Sequence, residues 1–112
     1  MLVIRDEQIK RFREVKEADF VDRIAAALRR EFPAQMESMG AGEQRDFIRE
    51  GRRTAETYGI VTEWDICRFL MYQLRLGRDF DVRPDMPWAS RILRAEGREK
   101  MNRLDDYYFR GQ

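Results

Sequence analysis

Residues 62–76, TEWDICRFLMYQLRL, decide the fold of this chain. On a helix that turns by about 100° per residue, their apolar side chains occupy most of the wheel: Trp64, Ile66, Cys67, Phe69, Leu70, Met71, Leu74 and Leu76. The narrow sector left for water holds Asp65, Arg68, Tyr72 and Arg75. A helix with so little polar surface must be covered by other helices. The stretch therefore predicts the central helix of an all-α bundle.

Four other helices are predicted around this central one. Pro33 ends the first, because a residue that precedes proline disfavours the helical conformation. Gly59 suits the end of the second helix, and Gly77 the end of the central helix itself. Pro87 suits the first turn of a short helix. The four are residues 6–31, 43–58, 87–95 and 98–109, with residues 34–42 as a loop. The whole chain, 1–112, is thus expected to form one compact all-α domain of about five helices without strands.

The second predicted helix has a narrow core face. Phe47, Ile48, Gly51, Ala55 and Tyr58 fall within about 100° of arc. Gly51 and Ala55 are four residues apart and have small side chains, so another helix can approach closely on this side. The opposite face carries arginines and is expected to be solvated.

The first predicted helix has two apolar stripes that do not align. Its second half has one coherent face that includes Phe20 and Leu28, whereas Ile9, Phe12 and Val15 lie on a face rotated by well over a quarter turn. One straight helix cannot bury both stripes against the same surface. Either the helix bends near residues 16–18 or its contact shifts from one neighbouring helix to the next, or Ile9, Phe12 and Val15 form an apolar patch for a second chain.

Composition and charge narrow the possible partners. The 112 residues include 22 Lys and Arg against 21 Asp and Glu, a net charge of +1, so no overall field attracts nucleic acid or acidic lipid. A single cysteine cannot form an internal disulfide, which suits a reducing compartment. The first residues, MLVIRDEQ, resemble neither a signal peptide nor a membrane span. We expect a cytoplasmic protein with no nucleic-acid or membrane partner.

No motif for catalysis, cofactors or metals emerges. There is no histidine, the commonest general base and metal ligand, and Cys67 falls in the most apolar helix, where a thiol is a small buried hydrophobe. Residues 79–85 resemble a calcium loop only superficially. Arg83 replaces the third acid, Pro84 the required glycine and Ser90 the bidentate glutamate. We expect a protein without enzymatic activity, cofactor or metal.

A nucleic-acid-binding regulator is the alternative. Residues 43–58, the short link 59–61 and residues 62–76 match a helix-turn-helix in length. A recognition helix must expose polar side chains to base edges, however, and the third segment is almost entirely apolar. The arginines of the second helix are interrupted by Glu50 and Glu56. Both features disfavour this interpretation.

The C-terminal aromatic residues form a second candidate surface. Met101, Leu104 and Tyr108 make the buried stripe of the last predicted helix, whereas Tyr107 and especially Phe109 point away from it. Large aromatic side chains serve as anchors in protein interfaces. Tyr107 and Phe109 are expected either to contact a partner or to pack on the first helix.

Several short stretches resemble a known group of proteins: residues 3–8, Phe32-Pro33, Tyr58-Gly59-Ile60 with Glu63 and Asp65, residues 76–81, Pro87-Trp88-Ala89 and Ile92-Leu93. Together they are similar to the small all-helical accessory proteins encoded beside spike and effector genes of bacterial type VI secretion systems. The resemblance spans most of the chain and consists of caps, turns and core aromatics.

This resemblance implies a protein that binds a secreted effector or spike component, as an immunity protein or as a loading chaperone or adaptor. An immunity protein could present the acids Asp79, Asp81 and Asp85 to a basic toxin site. A chaperone needs an apolar surface, which Ile9, Phe12 and Val15 or the C-terminal aromatics could supply. The partner can also be a second copy of the chain.

Overall fold

Six α-helices form the chain from residue 6 to residue 110. The computed structural model describes the backbone of these residues and the side chains of residues 17–110. The helices are Asp6–Glu31 (α1), Pro33–Glu37 (α2), Ala41–Thr57 (α3), Glu63–Leu76 (α4), Pro87–Arg94 (α5) and Lys100–Phe109 (α6), with no strand in that range. The predicted all-α class is confirmed, with one helix more than predicted.

The additional helix is α2, in a segment predicted as a loop. Pro33 ends α1 as expected, but its fixed φ also suits a first helical turn, and the amide of Met36 donates to the carbonyl of Phe32 at 3.0 Å. Met36 is fully buried, which fixes this turn on the core. The same proline therefore ends one helix and begins the next.

Most of the predicted helix ends are confirmed. The hydroxyl of Thr62 accepts a hydrogen bond from the amide of Asp65 at 3.3 Å and caps α4. Gly59 and Gly77 have φ of 78° and 120°, conformations that favour glycine. α6 begins two residues later than predicted, because Glu99 itself adopts a left-handed conformation with φ of 63°.

Helix α4 is the centre of the fold and packs against α1, α3 and α6. Ile66, Cys67, Phe69 and Leu70 are buried in these contacts. Two positions reverse the prediction: Trp64 is 62% exposed and Tyr72 only 1% exposed. Tyr72 is buried because α6 covers the side of α4 that was expected to face water.

Close approach of α3 to α4 confirms the role predicted for Gly51. A Cβ atom at Gly51 would lie 2.1 Å from Cδ2 of Leu70 and 2.6 Å from Oε1 of Gln73. Gln73 is itself buried, and its Nε2 donates to the carbonyl of Arg78 at 3.1 Å. The contact between α3 and α4 therefore depends on the missing side chain at position 51.

The second half of α1 buries its predicted stripe, including Phe20, Ile24 and Leu28. The side chains of Ile9, Phe12 and Val15 lie outside the described ones, so the choice between a bend and a partner surface stays open. None of the helices from residue 6 to residue 110 combines the length and apolar character needed to cross a membrane.

Candidate protein-binding surface

Arg75 lies in the last turn of α4 among four aromatic rings. Its guanidinium carbon is 5.5 Å from the ring centres of Phe32, Tyr108 and Phe109 and 5.6 Å from that of Tyr72. All four distances fall within the range of cation–π attraction, about 6 Å. Arg75 is nevertheless exposed. A cation surrounded by rings and open to solvent is unlike any other position described in this chain.

Three separate parts of the sequence meet at this arginine. Phe32 is held at the junction between α1 and α2 by the hydrogen bond from its amide to the carbonyl of Leu28, 2.7 Å long. Tyr72 and Arg75 are three residues apart on α4. Tyr108 and Phe109 belong to the last turn of α6. The end of each element thus contributes one part of the site.

Further ring contacts connect α6 to α5 and hold the aromatic side chains in place. Trp88 of α5 stacks on Tyr107 with centres 4.8 Å apart and an angle of 17°. Tyr108 meets Tyr72 edge-on at 5.6 Å and Phe109 at 5.0 Å. Such pairs contribute about 0.5–1.5 kcal/mol each beyond the area they bury. We refer to Phe32, Tyr72, Arg75, Trp88, Tyr107, Tyr108 and Phe109 as the Arg75 cluster.

The outer rings of the Arg75 cluster are accessible. Phe109 is 64% exposed and Tyr107 is 38% exposed, as expected for residues that lie off the buried stripe of α6. Met101 and Leu104 on that stripe are buried, which confirms the prediction for this helix. The two aromatic residues proposed from sequence as partner contacts therefore lie on the surface, Tyr107 against Trp88 and Phe109 against Tyr108 and Arg75.

Among the described side chains, residues 17–110, no acidic group pairs with Arg75. Within residues 17–110, no carboxylate oxygen lies within the 4.0 Å of an ion pair from its guanidinium, and no hydrogen bond joins it to a protein acceptor. A guanidinium has five N–H donors. The Arg75 cluster therefore combines large apolar surfaces with one positive charge that its protein neighbours leave available.

The three acids proposed from sequence do not form a common surface. Asp81 is only 6% exposed, contrary to the expectation of a solvated acid, because it accepts a hydrogen bond from the hydroxyl of Tyr58 at 2.7 Å. Burial, and then this bond, raise the pKa of Tyr58 to about 12. Asp85 is exposed but forms an ion pair with Arg83 at 2.7 Å. Asp79 is the one exposed acid of the three without an ion pair in the described part of the chain.

Trp64 adds an exposed apolar area that was predicted to be buried. It borders a groove of about 420 Å³ between α1 and α4, whose lining includes Ala26, Ala27 and Cys67. Cys67 is 2% exposed, as predicted, and burial raises the pKa of its thiol. Ala26 is exposed, while the charges of Arg23 and Glu63 at the rim pair with each other at 2.7 Å.

The described residues contain no group of three or more His, Cys, Asp or Glu side chains placed to hold a metal ion. The buried carboxylates have structural partners instead, as Asp81 has Tyr58. Cys67 has no histidine to activate it, because the chain contains none.

No family model, curated protein or solved structure matches this chain. Its function must therefore be inferred from its own surfaces, among which the Arg75 cluster has the most distinctive composition.

Sequence reasoning found only part of this cluster. Tyr107 and Phe109 were proposed as contacts and Arg75 was expected to face water, whereas neither Phe32 nor Trp88 was predicted to belong to a binding surface. Only one weak indication of this site was present in the sequence. Phe32, Arg75 and Trp88 each lie in the first or last turn of a helix or just beyond it. Their convergence depends on how the helices pack, which periodicity does not specify.

Proposed function

We propose that this chain is a non-catalytic accessory protein that binds another protein through the Arg75 cluster. The observation that carries the proposal is the exposed group of aromatic rings around an arginine that has no acidic partner among the described side chains. Tryptophan, tyrosine and arginine dominate the energetics of protein interfaces. Rings already held against each other also lose little side-chain entropy on binding.

The resemblance to type VI accessory proteins suggests the kind of partner. It favours a secreted effector or a spike component, bound in the bacterial cytoplasm before secretion. The distribution of charge supports a loading chaperone or adaptor over an immunity protein, because Asp81 is buried and Asp85 is paired with Arg83. An apolar cluster with one cation suits a chaperone better than a toxin plug built from acids.

The alternative of a nucleic-acid-binding regulator gains little support. Helix α4, in the position of a recognition helix, is covered by α1, α3 and α6. On α3, Arg52 pairs with Glu56 at 2.9 Å and stacks over the ring of Phe20 at 4.6 Å. Arg49 lies 3.6 Å from Glu17. These arginines have internal partners that compete with phosphates.

The proposal is tested by co-expressing the tagged protein with each product of the neighbouring genes and measuring the affinity of any complex by calorimetry. The double variant Tyr107→Ser/Phe109→Ser removes the exposed rings, and we expect its affinity to fall by roughly 10- to 100-fold, as for interface anchors. Val82→Ser is the matched control, because Val82 is an exposed apolar residue in the loop between α4 and α5.

A complex whose affinity is unchanged by the double variant would contradict binding through this cluster. Thermal unfolding of both variants, followed by circular dichroism, checks that the result does not reflect loss of folded protein. Specific binding to duplex DNA with a steep salt dependence would instead favour the regulator.

A further inference from the structure

We propose that the Arg75 cluster recognises an acidic segment of its partner, in which a carboxylate is flanked by an aromatic or aliphatic side chain. This inference rests on the proposed function and specifies the chemistry of the partner. The carboxylate would bind the guanidinium of Arg75, and the neighbouring apolar side chain would pack on the exposed ring of Phe109, which lies beside Arg75.

The first argument is charge complementarity. Arg75 has no carboxylate or hydrogen-bond acceptor among the described residues, while four rings surround it. Ring faces attract the cation but leave the edges of the guanidinium, with their N–H groups, able to donate. A carboxylate is the acceptor that matches this planar group best, because it can accept two parallel hydrogen bonds.

The second argument comes from the other arginine on the same side of α4. Arg68 lies seven residues earlier, and its guanidinium donates to Asp105 at 2.8 Å, to Asn102 at 2.9 Å and to Asp65. The fold thus supplies carboxylates where an arginine serves internal packing. Arg75 is surrounded by aromatic rings instead. A carboxylate of a partner could therefore bind Arg75 as Asp105 binds Arg68.

The third argument is the apolar surface beside the charge. Phe109 touches both Arg75 and Tyr108, and Tyr107 is stacked on Trp88. An apolar side chain placed next to the bound carboxylate would cover the ring of Phe109 and exclude water from the ion pair. Desolvation strengthens the hydrogen bonds of such a pair. Arg110, exposed and next in sequence to Phe109, adds a second positive charge at this edge.

The test begins with a library of random peptides displayed on phage, selected for binding to the intact protein. We expect the selected peptides to be enriched in Asp or Glu adjacent to Phe, Trp, Tyr, Leu or Ile. The strongest sequences are then synthesised, each in its acidic form and with every Asp and Glu replaced by Asn and Gln. Fluorescence polarisation measures both forms against each protein variant.

The acidic form should bind the native protein at least about tenfold more tightly than the amide form, a difference of about 1.4 kcal/mol. Arg75→Met should remove this preference, and Arg75→Lys should retain part of it, because lysine keeps the charge but not the planar donor pair. Arg53→Met, a change at another exposed arginine, should leave the preference intact.

Two results would overturn the inference in different ways. Peptides that lose affinity with Phe109→Ser but bind equally well in acidic and amide forms would show a neutral apolar partner, so the chemistry proposed here would be wrong while the proposed function would stand. If no selected peptide loses affinity with Phe109→Ser or Arg75→Met, and no neighbouring gene product depends on the cluster, both proposals fail. Melting curves of all variants confirm that each one is folded.

Discussion

Arg68 and Arg75 have nearly the same orientation on α4 but opposite environments. Seven residues separate them, which leaves their directions only about 20° apart on an ideal helix. The side chain of Arg68 is 14% exposed and binds Asp65, Asn102 and Asp105. Arg75 is exposed and contacts rings. Arg68 therefore stabilises the fold through its ion pairs, whereas the guanidinium of Arg75 is accessible to a binding partner.

Helix α6 creates this difference through its own sequence. Asp105 meets Arg68 and also accepts the hydrogen bond of the Tyr72 hydroxyl at 2.6 Å. One turn later, Tyr108 and Phe109 meet Arg75. In the sequence of α6, an acid precedes the aromatic residues. Asp105 therefore pairs with Arg68, whereas Tyr108 and Phe109 lie against Arg75. The two regions should therefore differ as sharply in their contribution to stability as they do in structure.

The largest effect is expected from Arg68→Met. This change leaves Asp65 and Asp105 partly buried without their cation, and we expect a loss of about 2–4 kcal/mol in the free energy of unfolding. Arg75→Met should change it by less than about 0.5 kcal/mol, as at an exposed site. Urea unfolding followed by circular dichroism measures both. Similar losses for the two variants would abolish the distinction between a structural and an available arginine.

A smaller effect is expected where α4 meets α3. Gly51→Ala places a Cβ against the buried Leu70, and overpacking should outweigh the better helix propensity of alanine, for a net loss of about 1–2 kcal/mol. Gly42→Ala is the matched control on the same helix, since nothing lies within 4 Å of its added Cβ. It should gain up to about 1 kcal/mol. A stabilising Gly51→Ala would show that the two helices can separate without cost.

Tyr72 belongs to both regions, since its hydroxyl binds Asp105 and its ring faces Arg75. Burial, and then that hydrogen bond, raise its pKa well above the usual value, and the pKa of Tyr58 rises to about 12. The unfolded chain therefore loses these protons first, near pH 10. The stabilising contribution is complete below about pH 10 and is lost as the pH rises towards 12.

Urea unfolding between pH 9 and pH 11.5 should show this decline in stability. The double variant Tyr58→Phe/Tyr72→Phe has neither titrating hydroxyl, so its stability should fall less steeply over the same range. An equal slope in both proteins would mean that other groups, such as lysine ammonium groups, govern the alkaline transition. The range spans pH 10 because an exposed tyrosine, as in the unfolded chain, has a pKa of about 10.

The sequence predicted the local structure of this chain better than its contacts. Thr62, Gly59 and Pro33 mark helix ends through backbone chemistry that involves only their near neighbours, and all three predictions held. Tyr72 and Trp64 were reversed because a helical wheel gives angular position but not which neighbouring helix covers it. Because α6 covers Tyr72, its hydroxyl donates a hydrogen bond to Asp105 and can be buried without losing a partner.

The candidate site was harder to predict, for a related reason. Phe32, Arg75 and Phe109 are far apart in sequence, and only the packing of α1, α4 and α6 brings them together. Asp81 was predicted as one of three surface acids that could be presented to a partner. Its pairing with Tyr58, 23 residues away, depends on tertiary structure alone. Residues that act through long-range contacts leave little trace in local patterns.

A small change in stability is also expected from Phe109→Ser, at the exposed end of the Arg75 cluster. Phe109 is 64% exposed and contacts Arg75 and the ring of Tyr108, so the isolated monomer should lose no more than about 0.5–1 kcal/mol. Phe80→Ser is the contrasting control, because Phe80 is fully buried and its loss should cost about 3–5 kcal/mol.

Adding Phe12→Ser to Phe109→Ser then tests the stripe of Ile9, Phe12 and Val15. If the double variant melts near the native temperature, that stripe lies outside the core and is available to a partner. A large further loss of stability would place Phe12 in the core and leave the Arg75 cluster as the binding surface.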